Sequence, residues 1–137
     1  PQTFAPLYSS AASDVYKRQD QDHALKFYTE VLGFQKHADE PAGEYRWLTI
    51  VSPENPEGTE LLLEPNQHPV AKAYQDGLKQ EGIPCTMFDV DDVQATYQNL
   101  KEQGVGFTMA PMDMGNGVKF AVFDDTCGNL IQIIERP

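Results

Sequence analysis

Asp20-Gln-Asp-His-Ala-Leu-Lys-Phe-Tyr-Thr-Glu-Val-Leu-Gly-Phe34 and Asp91-Asp-Val-Gln-Ala-Thr-Tyr-Gln-Asn-Leu-Lys-Glu-Gln-Gly-Val105 decide the fold, because they are one pattern written twice. Each reads as an acidic cap, an amphipathic helix, a stopping glycine and the start of a strand. Asp20 falls on Asp91, Ala24 on Ala95, Gly33 on Gly104 and Phe34 on Val105. β-rich segments follow each copy. The chain therefore reads as two similar modules, and a seam between paired modules can enclose a pocket.

Working outward from the first copy, the apolar stripe Ala24, Phe27, Tyr28, Val31 and Leu32 predicts a helix over 22–32, with Gly33 as its stop. A strand is expected to begin at 34–37, a second covers Tyr45 to Val51, and Thr59 to Glu64 closes the module as a third. Residues 65–82 link the modules, with Pro69 placed to open a short helix over 70–79. In the second copy, 83–90 reads as a strand and Asp91 or Asp92 caps a helix that buries Val93, Thr96, Tyr97 and Leu100. Strands over 105–109, 118–123 and 129–134 complete it, with turns at 112–117 and 125–128. The expected order is βαβββ, linker, βαβββ: module one about 14–64, module two 83–135, together a single domain over 20–137.

Residues 1–19 differ in quality from the rest and are read as an atypical segment, a scar standing in place of a native first strand. A strand near 14–19 would suit only an exposed edge, given Lys17 and Arg18.

The 137 residues are 40% hydrophobic, enough for one core. A formal net charge of −11, with only 10 Lys and Arg, argues against a nucleic-acid groove, which needs clustered cations. No apolar run reaches the ~20 residues of a membrane span and no secretory signal is visible, so a cytoplasmic protein with no membrane partner is expected. Cys85 and Cys127 have neither disulfide-framework nor Cys-x-x-Cys spacing.

Alternation sorts the strand residues. Leu61 and Leu63 suit the helix side, leaving Glu60, Leu62 and Glu64 on the other face. In the last strand Ile131 and Ile133 turn to the helices, with Leu130, Gln132 and Ile134 opposite. Cys85, Met87 and Asp89 face the same way as Gln132 if Phe88 and Val90 pack under the second helix. Tyr45 and Trp47 share one face of their strand, and parity leaves open which face that is; on the ligand side, Trp47 would stack on a flat molecule. Phe120 and Met87 could line the same cavity, with core packing as the default for both. His23, His37 and His68 read as surface residues, Cys85 as a small buried thiol, and 112–117 as a hairpin turn or a pocket lid.

Asp20 to Phe34, Thr59 to Glu64, Phe88-Asp-Val-Asp-Asp92 and Phe123-Asp-Asp-Thr-Cys-Gly-Asn-Leu-Ile-Gln132 resemble the glyoxalase, bleomycin-resistance and extradiol-dioxygenase superfamily, the vicinal oxygen chelate proteins. The resemblance covers about 20–135. It implies an α+β fold of paired βαβββ modules forming a cupped mixed sheet with helices on its outer face, a homodimer, and in the enzymes one divalent metal. Carried across, the ligand places fall on Glu60, Cys85, Gln132 and, near the start, Ser13. One carboxylate, a thiol, an amide and a hydroxyl are a poor set for a divalent ion. The expectation is a module that binds a small organic molecule without a metal or other cofactor, its pocket bounded by Glu60, Leu62, Cys85, Met87, Gln132, Trp47 and Phe120. The alternative is a metal-dependent isomerase or lyase resembling glyoxalase, or a dioxygenase-like enzyme, with Glu60 as its catalytic residue. Glu60 and Glu64 on one face also allow an acid and base pair if burial raises one of them.

Overall fold

The computed structural model describes residues 5–6 and 13–18 as backbone strands and all of 21–137. In chain order the elements are β1 (Ala5–Pro6), β2 (Ser13–Arg18), α1 (Gln21–Lys26) running into a π-helical turn (Phe27–Val31), β3 (Gln35–Ala42), β4 (Tyr45–Val51), β5 (Glu60–Pro65), α2 (Pro69–Gln80), β6 (Thr86–Asp89), α3 (Val93–Glu102), β7 (Phe107–Gly115), β8 (Val118–Asp124) and β9 (Leu130–Glu135).

The repeat in the sequence becomes a repeat in topology. One sheet has the order β2-β5-β4-β3 and the other contains β6-β9-β8-β7, so each module places its first strand beside its last. β2 runs parallel to β5 and β6 parallel to β9, while the remaining pairs within each module are antiparallel. Two residues near the start, Ala5 and Pro6, add a further edge strand by pairing with Phe88 and Asp89. A first strand is thus present in residues 13–18, at the sheet edge its charges suit, and Ser13 is the register partner of Glu60.

Alternation places Leu61, Leu63, Ile131 and Ile133 on the core side, where they are found. Leu48, Ile50, Leu61 and Leu63 from one sheet and Phe88, Ala121, Phe123, Ile131 and Ile133 from the other join Ala24, Phe27, Tyr28, Leu32, Val93 and Leu100 of the helices in one cluster. Helix α1 bridges the sheets: it packs on β5, its Phe27 ring lies 6.4 Å from Phe123, and Tyr28 reaches the turn after β8. The π turn closes through Leu32 N–H donating to Phe27 O, and the wider turn points both Phe27 and Tyr28 inward. Gly33, at φ 87°, then reverses the chain as only glycine does without strain.

Several boundaries differ from expectation for local reasons. Of the two aspartates expected as caps, Asp92 caps α3 as that reading allowed, its Oδ1 accepting from Ala95 N–H at 2.9 Å. Tyr97 is half-buried rather than sealed in the core and packs edge-on against Phe107 at 4.7 Å. β6 is four residues long, not eight. β7 runs on to Gly115, through the stretch expected to be a turn, because Asn116 and Gly117, at φ 54° and 80°, form a two-residue hairpin connection. The strand expected to begin at 34–37 runs from Gln35 to Ala42, and its register slips between Lys36 and Ala38. No helix among the described residues is long and apolar enough to cross a membrane.

Candidate functional site

Because Leu48 and Ile50 belong to the core, the parity left open in the sequence resolves: Tyr45 and Trp47 lie on the face turned away from the helices. Trp47 is 49% exposed, unusual for the most costly side chain to leave in water. Its setting follows from how β4 and β5 part. They pair only over Thr49–Val51 against Glu60–Leu62. Beyond that, the Gln21 side chain takes the place of a ladder: its Nε2 donates to Arg46 O (2.8 Å) and Leu63 O (3.1 Å), and its Oε1 accepts from Arg46 N–H (3.1 Å). One amide at the start of α1 thereby satisfies the backbone of two separating strands.

The gap holds a cleft of about 590 Å³. Tyr45, Trp47, Leu62 and Pro65 make its apolar walls, with Arg46, Glu64, Gln67 and His68 between them. Arg46 is committed elsewhere: its Nε and Nη2 each donate to Asp39 at 2.9 Å, and Nη1 reaches Asp22. The fork of Arg46 holds the Asp39 carboxyl at about 2, and the Arg46 guanidinium is pushed up in turn, Asp39 first and Asp22 second. His68 caps α2 by accepting from Val70 N–H through Nδ1 (3.2 Å), which leaves Nε2 as the ring's donor.

Along the same face lies a cluster that the sequence did not disclose. His37 Nδ1 is 2.5 Å from Glu60 Oε1, and the buried Thr49 hydroxyl donates to that same oxygen at 2.8 Å. Thr49 Oγ1 in turn accepts from Ala38 N–H at 3.1 Å, across the register slip in β3. The bulge re-aims His37 toward β5, as bulges do beside functional sites. A one-residue slip has no signature in alternation, so His37 read as an ordinary surface residue.

Of the expected pocket residues, Trp47 and Leu62 line the cleft, and Glu60 is next to Leu62 on the same face. Met87, Gln132 and Phe120 sit on the corresponding face of the second sheet, where Met87 pairs with Gln132 and Phe120 with Ile134. Cys85 precedes β6 and is exposed, not the small buried thiol expected: the strand starts one residue too late to carry it inward.

The family's metal can be tested against these donors. Glu60 is engaged by His37 and Thr49, and Gln132 offers a neutral amide on the other sheet. Among the described residues no group of three or more His, Cys, Asp or Glu converges. Among the described residues the carried-over places supply one carboxylate, one thiol and one amide.

A buried polar chain fixes the linker to the second module. Asn66 Nδ2 donates to Gln75 Oε1 (2.5 Å), and Gln75 Nε2 donates to Asn129 Oδ1 (2.9 Å) and Cys127 O (3.0 Å). Asn129 Nδ2 donates to Asp125 Oδ2 (2.8 Å), which also accepts from the Tyr28 hydroxyl (2.6 Å). Asp125 Oδ1 takes the Cys127 and Asn129 N–H groups at 2.7 and 3.0 Å. Burial raises the Asp125 carboxyl above its ordinary 3.8, while its four donors hold it back. This chain seats α2 and the 65–69 wall of the cleft.

Paired βαβββ modules define an α+β fold class, here with an aromatic cleft on the sheet face turned away from the helices. The sequence profile of the Glyoxalase/Bleomycin resistance protein/Dioxygenase superfamily matches residues 15–133, and the chain belongs to that superfamily. It is 61% identical over 118 residues to the uncharacterized protein YurT of Bacillus subtilis (strain 168), covering 86% of this chain and 92% of YurT. Its fold is similar to the crystal structure of UcmS2 (TM-score 0.79, 30% identity, 94% of this chain and 99% of that one). It is also similar to TnmS3, an antibiotic binding protein from Streptomyces sp. CB03234 (TM-score 0.73, 27% identity, 96% and 98%).

Proposed function

We propose that this protein binds a small, flat organic molecule in the cleft between β4 and β5 by stacking it on Trp47, without a metal, and as a homodimer. The half-exposed indole in a cleft of about 590 Å³ carries the reading. That volume suits a drug-sized ligand, and an aromatic face with a few polar neighbours is how such sites fix a planar molecule. TnmS3, an antibiotic binding protein, has this architecture at 27% identity, which supports ligand capture as the role. The donor set at Glu60, Cys85 and Gln132 supports binding without an ion. Exposed Met109, Met112 and Met114 on β7 give the second sheet an apolar surface that a partner copy would cover.

Trp47 is the chain's one tryptophan, so its emission reports on the cleft alone. Titration with planar polycyclic quinones should quench it saturably, and aliphatic rings of equal volume should not. Binding detected by calorimetry with Trp47 emission unchanged would place the ligand elsewhere and end the proposal. Light scattering at micromolar concentration measures the dimer. Elemental analysis of protein prepared without chelator measures any bound metal.

A further inference from the structure

A second hollow lies among the helices, at the junction of the two modules. Helix α1 with its π turn forms one wall, and the end of α3 and the turn after β8 form the other, around about 280 Å³. It shares no residue with the Trp47 cleft. We infer that this hollow is a second binding site, and that it takes a short aliphatic molecule with a carboxylate at one end and an amine at the other.

The charges suit such a ligand. Lys26 and Glu30 both line the hollow, and neither side chain has a hydrogen-bond or ion-pair partner among the described residues. Four residues apart on a regular α-helix, they would pair with each other. The π turn that begins at Phe27 widens the helix between them and breaks that spacing. An unpaired ammonium and an unpaired carboxylate therefore stand on one rim, while the nearly buried Phe27 and Val105 give an apolar floor.

The polar groups around these charges set the ligand's direction. His23 Nε2 and Thr126 Oγ1, 2.8 Å apart, tie the start of α1 to the turn after β8, one helical turn from Lys26. Thr126 holds this place at φ 62°, in the left-handed region that a β-branched residue rarely enters, and strain of that kind gathers at ligand sites. Gln103, the C-cap of α3, and Gly104 also line the hollow, and the carbonyl end of a helix carries partial negative charge. The ligand's carboxylate thus goes to Lys26 beside the Thr126 hydroxyl, and its amine to Glu30 and the end of α3. The volume holds roughly ten non-hydrogen atoms, the size of a six-carbon ω-amino acid.

Amide NMR of the full chain, titrated with 6-aminohexanoate at constant ionic strength, tests the site. The Gly104 and Thr126 signals should shift saturably, with a Kd on the order of 1 mM for so small a ligand. Hexanoate and hexylamine, each lacking one charge, should bind at least about tenfold more weakly. Lys26→Met should weaken 6-aminohexanoate by at least about tenfold and leave hexylamine unchanged; Glu30→Gln should weaken it as much and leave hexanoate unchanged. Both side chains are exposed, so these variants keep the fold. Thr126→Gly relieves the backbone while removing the hydroxyl, so binding read at Gly104 should weaken several-fold with Tm unchanged or raised. A merely structural Thr126 would lower Tm and leave affinity alone. Trp47 emission should stay constant throughout, because the probe is aliphatic and the cleft is elsewhere. Shifts that do not saturate, shifts centred on other residues, equal affinity for the single-charge probes or quenching of Trp47 would each overturn the site. The cleft has its own test with planar ligands, so the loss of either site leaves the other standing.

Discussion

Replacing Asp125 by Asn tests whether the buried polar chain is directional. Asp125 is the terminal acceptor: Tyr28 Oη, Asn129 Nδ2, Cys127 N and Asn129 N all donate to it. An asparagine oxygen in the place of Oδ1 keeps the two backbone donors, and its nitrogen can donate to Tyr28. That nitrogen then meets Asn129 Nδ2, donor against donor. Asn129 cannot rotate its amide without turning a nitrogen on Gln75 Nε2, and Gln75 cannot rotate without setting its oxygen on Cys127 O. One buried donor is stranded, a loss of roughly 1–3 kcal/mol, partly offset by removing a buried charge. The expected net destabilisation is about 2 kcal/mol, or roughly 5–8 °C in Tm for a chain of this size. With a urea slope of about 2 kcal/mol/M, the midpoint should fall by roughly 1 M. Asp125→Ala strands all four donors and should lose at least about 4 kcal/mol. Far-UV circular dichroism during urea titration measures both. Asparagine within about 0.5 kcal/mol of wild type, or as damaging as alanine, would refute the directional account. The pH dependence has a definite sign. The folded carboxyl lies above its ordinary 3.8, so the stability linked to its proton is full below that value and is lost as pH rises through the raised one. The gap between wild type and Asp125→Asn therefore narrows as pH rises.

Trp47→Ala should weaken planar ligands by about tenfold or more, measured by calorimetry because the variant is dark, with stability little changed for a side chain that is half in water. Gly128→Ala should cost over about 2 kcal/mol in the same urea assay, since φ is 98° and the new Cβ would lie 2.8 Å from Gln75 Nε2. Asp39→Asn should flatten the acid limb of stability: the folded carboxyl is held at about 2 against 3.8, so its contribution is present above 3.8 and lost as pH falls from there toward 2. Thermal melts from pH 6 to pH 2 would show it, and parallel curves for the two proteins would contradict the Arg46 assignment.

Periodicity alone determined the duplicated βαβββ order and the helix-facing core, because burial on one face of each element imposes its spacing on the residues, as Leu61, Leu63, Ile131 and Ile133 show. The same logic placed Glu60 and Leu62 on the opposite face, but could not tell which way Tyr45 and Trp47 pointed: their strand carries large apolar groups at both parities. Only the tertiary structure decided where β4 leaves β5, since that depends on Gln21, some 25 residues away, filling the broken ladder. Only the tertiary structure, too, brought His37 to Glu60, because a bulge changes the pairing of a strand without changing its composition. Residue spacing records which side of an element meets the core; it does not record contacts made between elements on the side left in water.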